Sequence, residues 1–192
     1  TRRSSDLIFG YLTDHFQQVH LLDSDQHKLC SHHNYLIKDH QDEYRYKIGN
    51  RLYGCDTCQQ VCPKNRGINT QHDDIVLEPE ILKPRLVPLL QMSNKKFKST
   101  YGHLAGAWRG KKPIQRNAII ALAHFKEESA IPELKEVALN DPRPMIRGTA
   151  YWAIGQILED DAISFIDEHY ENEIEEVQLE MKKGLQMRRE QK

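Results

Sequence analysis

No apolar stretch in the 192 residues approaches the ~18–20 that a membrane-spanning helix needs; the cleanest, Ile119–Ala123, is far shorter. The first residues, Thr1-Arg2-Arg3-Ser4-Ser5, contain neither a Met nor an apolar core, so nothing marks the chain for secretion. The missing Met fits a fragment or a processed chain. Aromatic residues make up only 8%, and four cysteines are too few for a disulfide scaffold. Net charge is nearly absent as well, at −1. What is present, 39% hydrophobic residues over this length, suffices for one good-sized domain or two small ones.

The small net charge conceals a segregation. From Ile81 to Lys126 there are ten Lys or Arg and no Asp or Glu, whereas Glu127–Glu180 holds fifteen acids against three bases, a net of −12. Adjacent blocks of opposite sign set up a strong field across the molecule, and the basic block is a candidate polyanion surface.

Three parts follow from the pattern: residues 1–70, a connector over 71–84, and a helical region over 85–192. The first part carries every cysteine and most of the ten histidines. It has no sustained helical or strand period, although short helices fit 5–19 and 42–50. Pro79 and Pro84 among acidic residues make 71–84 read as a connector. Beyond it the sequence repeats at an offset of 32, which sets Ala118, Ala121, Leu122, Ala123 and Phe125 on Ala150, Ala153, Ile154, Gly155 and Ile157. Each unit reads as a small-residue helix, a turn, and a second amphipathic helix. Pro142 and Pro144 punctuate the join. Val177, Met181 and Leu185, at i, i+4 and i+8 in a charged segment, form the single apolar face with which a solenoid ends. The predicted fold is mainly α: an irregular, ferredoxin-like iron–sulfur region followed by a short HEAT-like α-solenoid. An ordinary helix bundle is the plainer reading of the same helices.

Cys55-Asp56-Thr57-Cys58-Gln59-Gln60-Val61-Cys62-Pro63 is a C-x2-C-x3-C-P motif. Thiolates at this spacing on a tight turn can bind one iron–sulfur cube, although in two-cluster ferredoxins the Cys before Pro serves the other cube. Zinc is the competing ion, since C-x2-C is half a zinc knuckle, and free thiols are the plainest alternative. Only Cys30 stands apart from the motif.

The stretch Ile48–Asn65, with Gly54-Cys55-Asp56-Thr57-Cys58-Gln59-Gln60-Val61-Cys62-Pro63 at its centre, resembles the second cluster motif of the epoxyqueuosine reductases. Gly102-His103-Leu104-Ala105-Gly106-Ala107-Trp108-Arg109-Gly110-Lys111-Lys112-Pro113-Ile114-Gln115-Arg116-Asn117-Ala118 resembles their passage into C-terminal HEAT-like repeats. The likeness runs from about residue 22 to the end. It implies a cytoplasmic, monomeric oxidoreductase that reduces epoxyqueuosine to queuosine in tRNA, using cobalamin and two four-iron four-sulfur clusters. It also implies Cys30, Cys55, Cys58 and Cys62 as metal ligands. Two departures qualify this. The family's cobalamin domain, with its catalytic acid, precedes the clusters and is not in this sequence. In the frame of the family's first cluster motif, Gly10 is kept, but Phe9, Leu12, His15 and Val19 stand at the cysteine positions and His20 at the proline. Each cluster then lacks ligands, and the chain alone is expected to be inactive. The alternative is a non-catalytic, metal-stabilised helical-repeat module that binds RNA or protein.

The expected partner is a tRNA anticodon stem–loop. The expected contacts are Arg109, Lys111, Lys112 and Arg116 at the start of the first repeat, with Arg147 at the equivalent turn of the second. Tyr101 and Trp108 flank this stretch and either stack on unpaired bases or pack in the core, and Trp152 in its Ala-rich helix reads as core. His15, His20, His27, His32, His33 and His40 fit solvated loops better than a metal site, because no H-x3-H or H-E-x2-H pattern accompanies them.

Overall fold

The computed structural model describes residues 45, 49–52, 67, 78–104, 107 and 110–186. The chain divides into two compact units, Thr1–Lys47 and Ile48–Lys192. In the first, Arg45 is described; it is helical and buried. The rest of the helix expected over 42–50, apart from a turn at Gly49 and Asn50, and all of the one over 5–19, lie outside the described residues.

The second unit runs α1 (Pro79–Leu82), α2 (Leu86–Leu90), α3 (Asn94–Tyr101), α4 (Lys111–His124), α5 (Ile131–Asn140), α6 (Pro144–Leu158), α7 (Ala162–Tyr170) and α8 (Glu175–Gln186). Single 3₁₀ turns at Glu128–Ala130 and Glu159–Asp161 lead into α5 and α7. There is no strand among the described residues, and none of their helices is long and apolar enough to cross a membrane. Pro79 opens the single turn α1, since a first-turn position needs no amide hydrogen, and the turn ends before Pro84.

Helix α4 is buried continuously from Gln115 to Ala123, and α6 from Gly148 to Gly155. A helix apolar all round must be covered all round. The covering helices are therefore one-sided: α5 buries Leu134, Val137 and Ala138, and α7 buries Ala162 and Ile166. Helix α8 lies along α6 through Val177 and Met181. Leu185 is only half-buried, because its neighbour Gly184 takes the closest approach to α6. This is a stack of helical hairpins that closes on an amphipathic last helix.

The turn after α4 needs a left-handed residue, and Lys126 supplies it with φ 52°. The Glu127 amide donates to the Leu122 carbonyl and the Lys126 amide to that of Ala123, a closure that satisfies the helix's last carbonyls. A lysine tolerates this conformation here while its ammonium donates to the Gln156 carbonyl of α6.

Candidate nucleic-acid interface

The basic block occupies α3, the start of α4 and the segments around them. Helix α3 has Ser93 as its N-cap, whose hydroxyl accepts from the Lys96 amide at 3.1 Å. Phe97 and Tyr101, four residues apart, pin one face to the core with ring centres 5.5 Å apart. Burial of Tyr101, and then the charge of Glu80, push its phenol pKa up. Tyr101 and Trp152 are thus both core residues, at 8% and 2% exposure, and neither ring is open to a nucleobase. Trp108 lies outside the described residues.

Helix α4 starts at Gly110, whose φ of 78° favours glycine and which offers no side chain to cap the first turn. Lys111 is half-buried and donates to the Met92 carbonyl at 2.6 Å, which fastens the start of α4 to the residue before the α3 cap. Burial lowers the Lys111 pKa, Arg143 lowers it further, and Asp141 pulls the other way. Lys112 is exposed.

The other expected contacts are placed differently. Arg116 is buried at 7% exposure within α4. Arg147 directs its Nε and Nη2 onto the two oxygens of Glu173, each at 2.8 Å, and its Nη1 onto the Asp141 carbonyl at 3.0 Å. The row of bases expected along the turns therefore stops at Lys111 and Lys112. Arg109, like Cys30, Cys55, Cys58 and Cys62, lies outside the described residues, as do Phe9, Leu12, His15 and Val19 and the histidines of the first part. No group of three or more His, Cys, Asp or Glu suited to a metal occurs among the described residues.

What holds this surface is a polar ladder that repeats with the same offset as the helices. Gln115, 2% exposed, donates to the Leu90 carbonyl at 2.5 Å and to Asp141 at 3.4 Å. One repeat on, Arg147 stands where Gln115 does and Glu173 where Asp141 does. In both, a residue in the first helix reaches the acid in the turn before the next first helix. Arg143 completes the first rung, donating to Asp141 at 2.6 Å and to the Gln115 Oε1 at 2.5 Å. Burial would raise the Asp141 pKa, but the hydrogen bonds and charge of Arg143, with Gln115, outweigh it and hold the carboxyl below its ordinary value. Hydrogen bonding to Glu173 raises the Arg147 pKa. Sequence reading missed the ladder: its rungs are polar, while the alignment at 32 followed apolar and small residues.

The first repeat also grips the chain near the cysteine motif. Asn117, 1% exposed, donates through Nδ2 to the Leu52 carbonyl at 2.8 Å, three residues before Cys55.

Comparison with known proteins accords with this architecture. Residues 109–184 match the family model for HEAT repeats. The epoxyqueuosine reductase of Staphylococcus aureus is 78% identical over 149 residues, which are 78% of this chain and 39% of that protein. The epoxyqueuosine reductase of Bacillus subtilis is 57% identical over 148 residues, 76% of this chain and 38% of its own length. A crystal structure of epoxyqueuosine reductase with a tRNA-Tyr epoxyqueuosine-modified tRNA stem loop superimposes with a TM-score of 0.71 at 57% identity, covering 76% of this chain and 40% of that one. The chain thus spans about two fifths of the length of the curated relatives it matches.

Proposed function

Because the chain belongs to the epoxyqueuosine reductase family, we propose that it is the cluster-and-tRNA-binding part of such an enzyme. In this reading the HEAT-like repeats hold a tRNA anticodon stem–loop by its phosphates, and the cysteine region serves reduction of the epoxide on the modified base. The relative solved with a tRNA stem loop, at 57% identity, is the single observation that carries it. The grip of Asn117 on Leu52 supports it further, because the same helix that starts with Lys111 and Lys112 anchors the chain leading to Cys55.

The cysteines suit a cluster by their chemistry. Cys30, Cys55, Cys58 and Cys62 are the proposed metal ligands, soft thiolates of the kind that hold iron–sulfur clusters, which would pass electrons, and equally of the kind that hold zinc. Cobalamin, which the family uses, is assigned to no residue of this chain, so the isolated chain is expected to bind the RNA without reducing it. Arg109, Lys111 and Lys112 are the proposed phosphate contacts, while Arg147 acts from beneath through Glu173 and the Asp141 carbonyl and Arg116 is buried within α4. Such contacts read charge and helical shape rather than bases.

The test pairs metal and sulfide analysis of anaerobically prepared chain with titration of a labelled anticodon stem–loop across a salt series. Iron, sulfide and broad visible absorbance are expected, together with a log–log salt slope that falls by about 1–2 units in Lys111→Ala/Lys112→Ala. A colourless zinc protein favours the non-catalytic module. An unchanged affinity and slope remove Lys111 and Lys112 from the RNA surface.

A further inference from the structure

The described bases divide into two groups. After residue 127 each one is engaged: Arg143 with Asp141 at 2.6 Å, Arg147 with Glu173 at 2.8 Å and Lys183 with Glu180 at 3.1 Å. In the same region Lys135 sits 4.6 Å from the centre of the Phe165 ring and Lys182 5.2 Å from that of Tyr170. On α3, by contrast, Lys95, Lys96 and Lys98 are all exposed, and their side chains have no hydrogen bond or ion pair among the described residues; the same holds for Lys112. No acid occurs between Ile81 and Lys126, and the acid whose charge reaches α3 among the described residues, Glu80, acts on Tyr101 at the far end of the helix.

These free ammonium groups belong to one surface. Lys111 is bonded to the Met92 carbonyl, and Met92 precedes the Ser93 cap of α3. Three residues of chain separate Met92 from Lys95 and span about 10 Å at most. The first turn of α3 and the first turn of α4 are therefore tied side by side. On α3 the direction is settled as well: Phe97 and Tyr101 take the core side, which leaves Lys95, two residues before Phe97, on the far side of the helix.

From this we infer that the polyanion track does not continue along the repeat turns toward Arg147 but crosses from Lys112 onto α3, with Lys95 and Lys96 as further phosphate contacts. The occupant is the sugar–phosphate backbone of a folded RNA, and the inference rests on the RNA-binding reading above. Charge complementarity selects the direction. Toward the second repeat the bases are already neutralised by Asp141 and Glu173, and the surroundings turn acidic, whereas the exposed lysines of α3 have no acid partner among the described residues. An ammonium that carries no acid partner can exchange its counterions for a phosphate without first breaking a bond within the protein. Lys98, three residues after Lys95 and on the same face of α3, adds to the field.

The experiment compares the 192-residue chain with Lys95→Ala/Lys96→Ala and, separately, Lys112→Ala. A labelled anticodon stem–loop and a polyglutamate peptide serve as probes, with thermal unfolding to confirm that each variant is folded. Both variants are expected to weaken RNA binding, with the salt slope falling by about 1–2 units for the α3 pair and about 1 for Lys112. If Lys112→Ala weakens binding and Lys95→Ala/Lys96→Ala does not, the track is overturned while the proposed function stands. Loss of polyglutamate binding alone in the α3 pair also overturns it and assigns the patch to an acidic protein. A parental chain that binds no RNA overturns both.

Discussion

Replacing Gly155 by Ala sets two effects of known sign against each other. Alanine is the better helix former, and a mid-helix Gly→Ala change is worth up to about 1 kcal/mol in stability. The structure opposes it: a Cβ on Gly155 would stand 2.9 Å from both the carbonyl carbon and oxygen of Gly184, and 3.2 Å from its Cα. Ordinary carbon contacts lie at about 3.5–4.0 Å, so α8 would have to retreat by roughly half an ångström or more. The obstacle is backbone and cannot rotate away. Retreat would loosen Val177 and Met181, both fully buried, and lengthen the 2.9 Å bond from the Gln156 side-chain Nε2 to the Gly184 carbonyl. Overpacking of this kind costs about 1–3 kcal/mol, which exceeds the helical gain. Gly155→Ala should therefore lose about 1–2 kcal/mol net, a fall in Tm of roughly 2–8 °C for a chain of this size. Gly148→Ala is the internal comparison. Its Cβ would meet the Glu180 Cγ and Cβ at 3.0 and 3.1 Å, contacts slightly wider than the backbone clash at Gly155 and of which the Cγ can turn away, so it should lose somewhat less. Thermal unfolding followed by helical circular dichroism measures both. A Gly155→Ala chain that melts above the parent would refute the account of α6 and α8 as backbones in direct contact.

The helices were readable because their signal is periodic and local. Small and apolar residues recurring at 32 located α4 and α6, and Val177 and Met181 marked the one-sided last helix. The fate of individual charges was not local. Arg116 and Arg147 look alike in sequence to Lys112, yet burial depends on what surrounds the helix, and Arg147 is claimed by Glu173, twenty-six residues away. Counting charges located the basic block but could not say which of its members were already paired. Lys95 and Lys96 went unselected for the complementary reason. They lie outside the repeat, and only the Lys111–Met92 bond shows that α3 and α4 start beside one another.

Two further perturbations address the ladder. Asp141 has its carboxyl pKa lowered in the folded chain, so its contribution is complete above the unfolded value near 4 and disappears as pH falls through the folded one. Urea midpoints between pH 5 and pH 2.5 should fall less steeply in Asp141→Asn than in the parent, and parallel limbs would contradict the assignment. The last perturbation is Arg147→Ala, which separates support from contact. Arg147 and Glu173 have side chains only 16% and 11% exposed, and the guanidinium also serves the Asp141 carbonyl. Removing it strands a largely buried carboxylate, at a cost of about 2–3 kcal/mol after allowance for the residual exposure. Lysine at the position keeps one charge but cannot form the two-pronged contact, so Arg147→Lys should recover less than half of the loss. In the folded chain the pair is already neutral, so Arg147→Ala should leave the salt slope of stem–loop binding unchanged while lowering the urea midpoint. A slope that falls by about one unit at parental stability would instead make Arg147 a phosphate contact and restore the row of bases along the repeat turns.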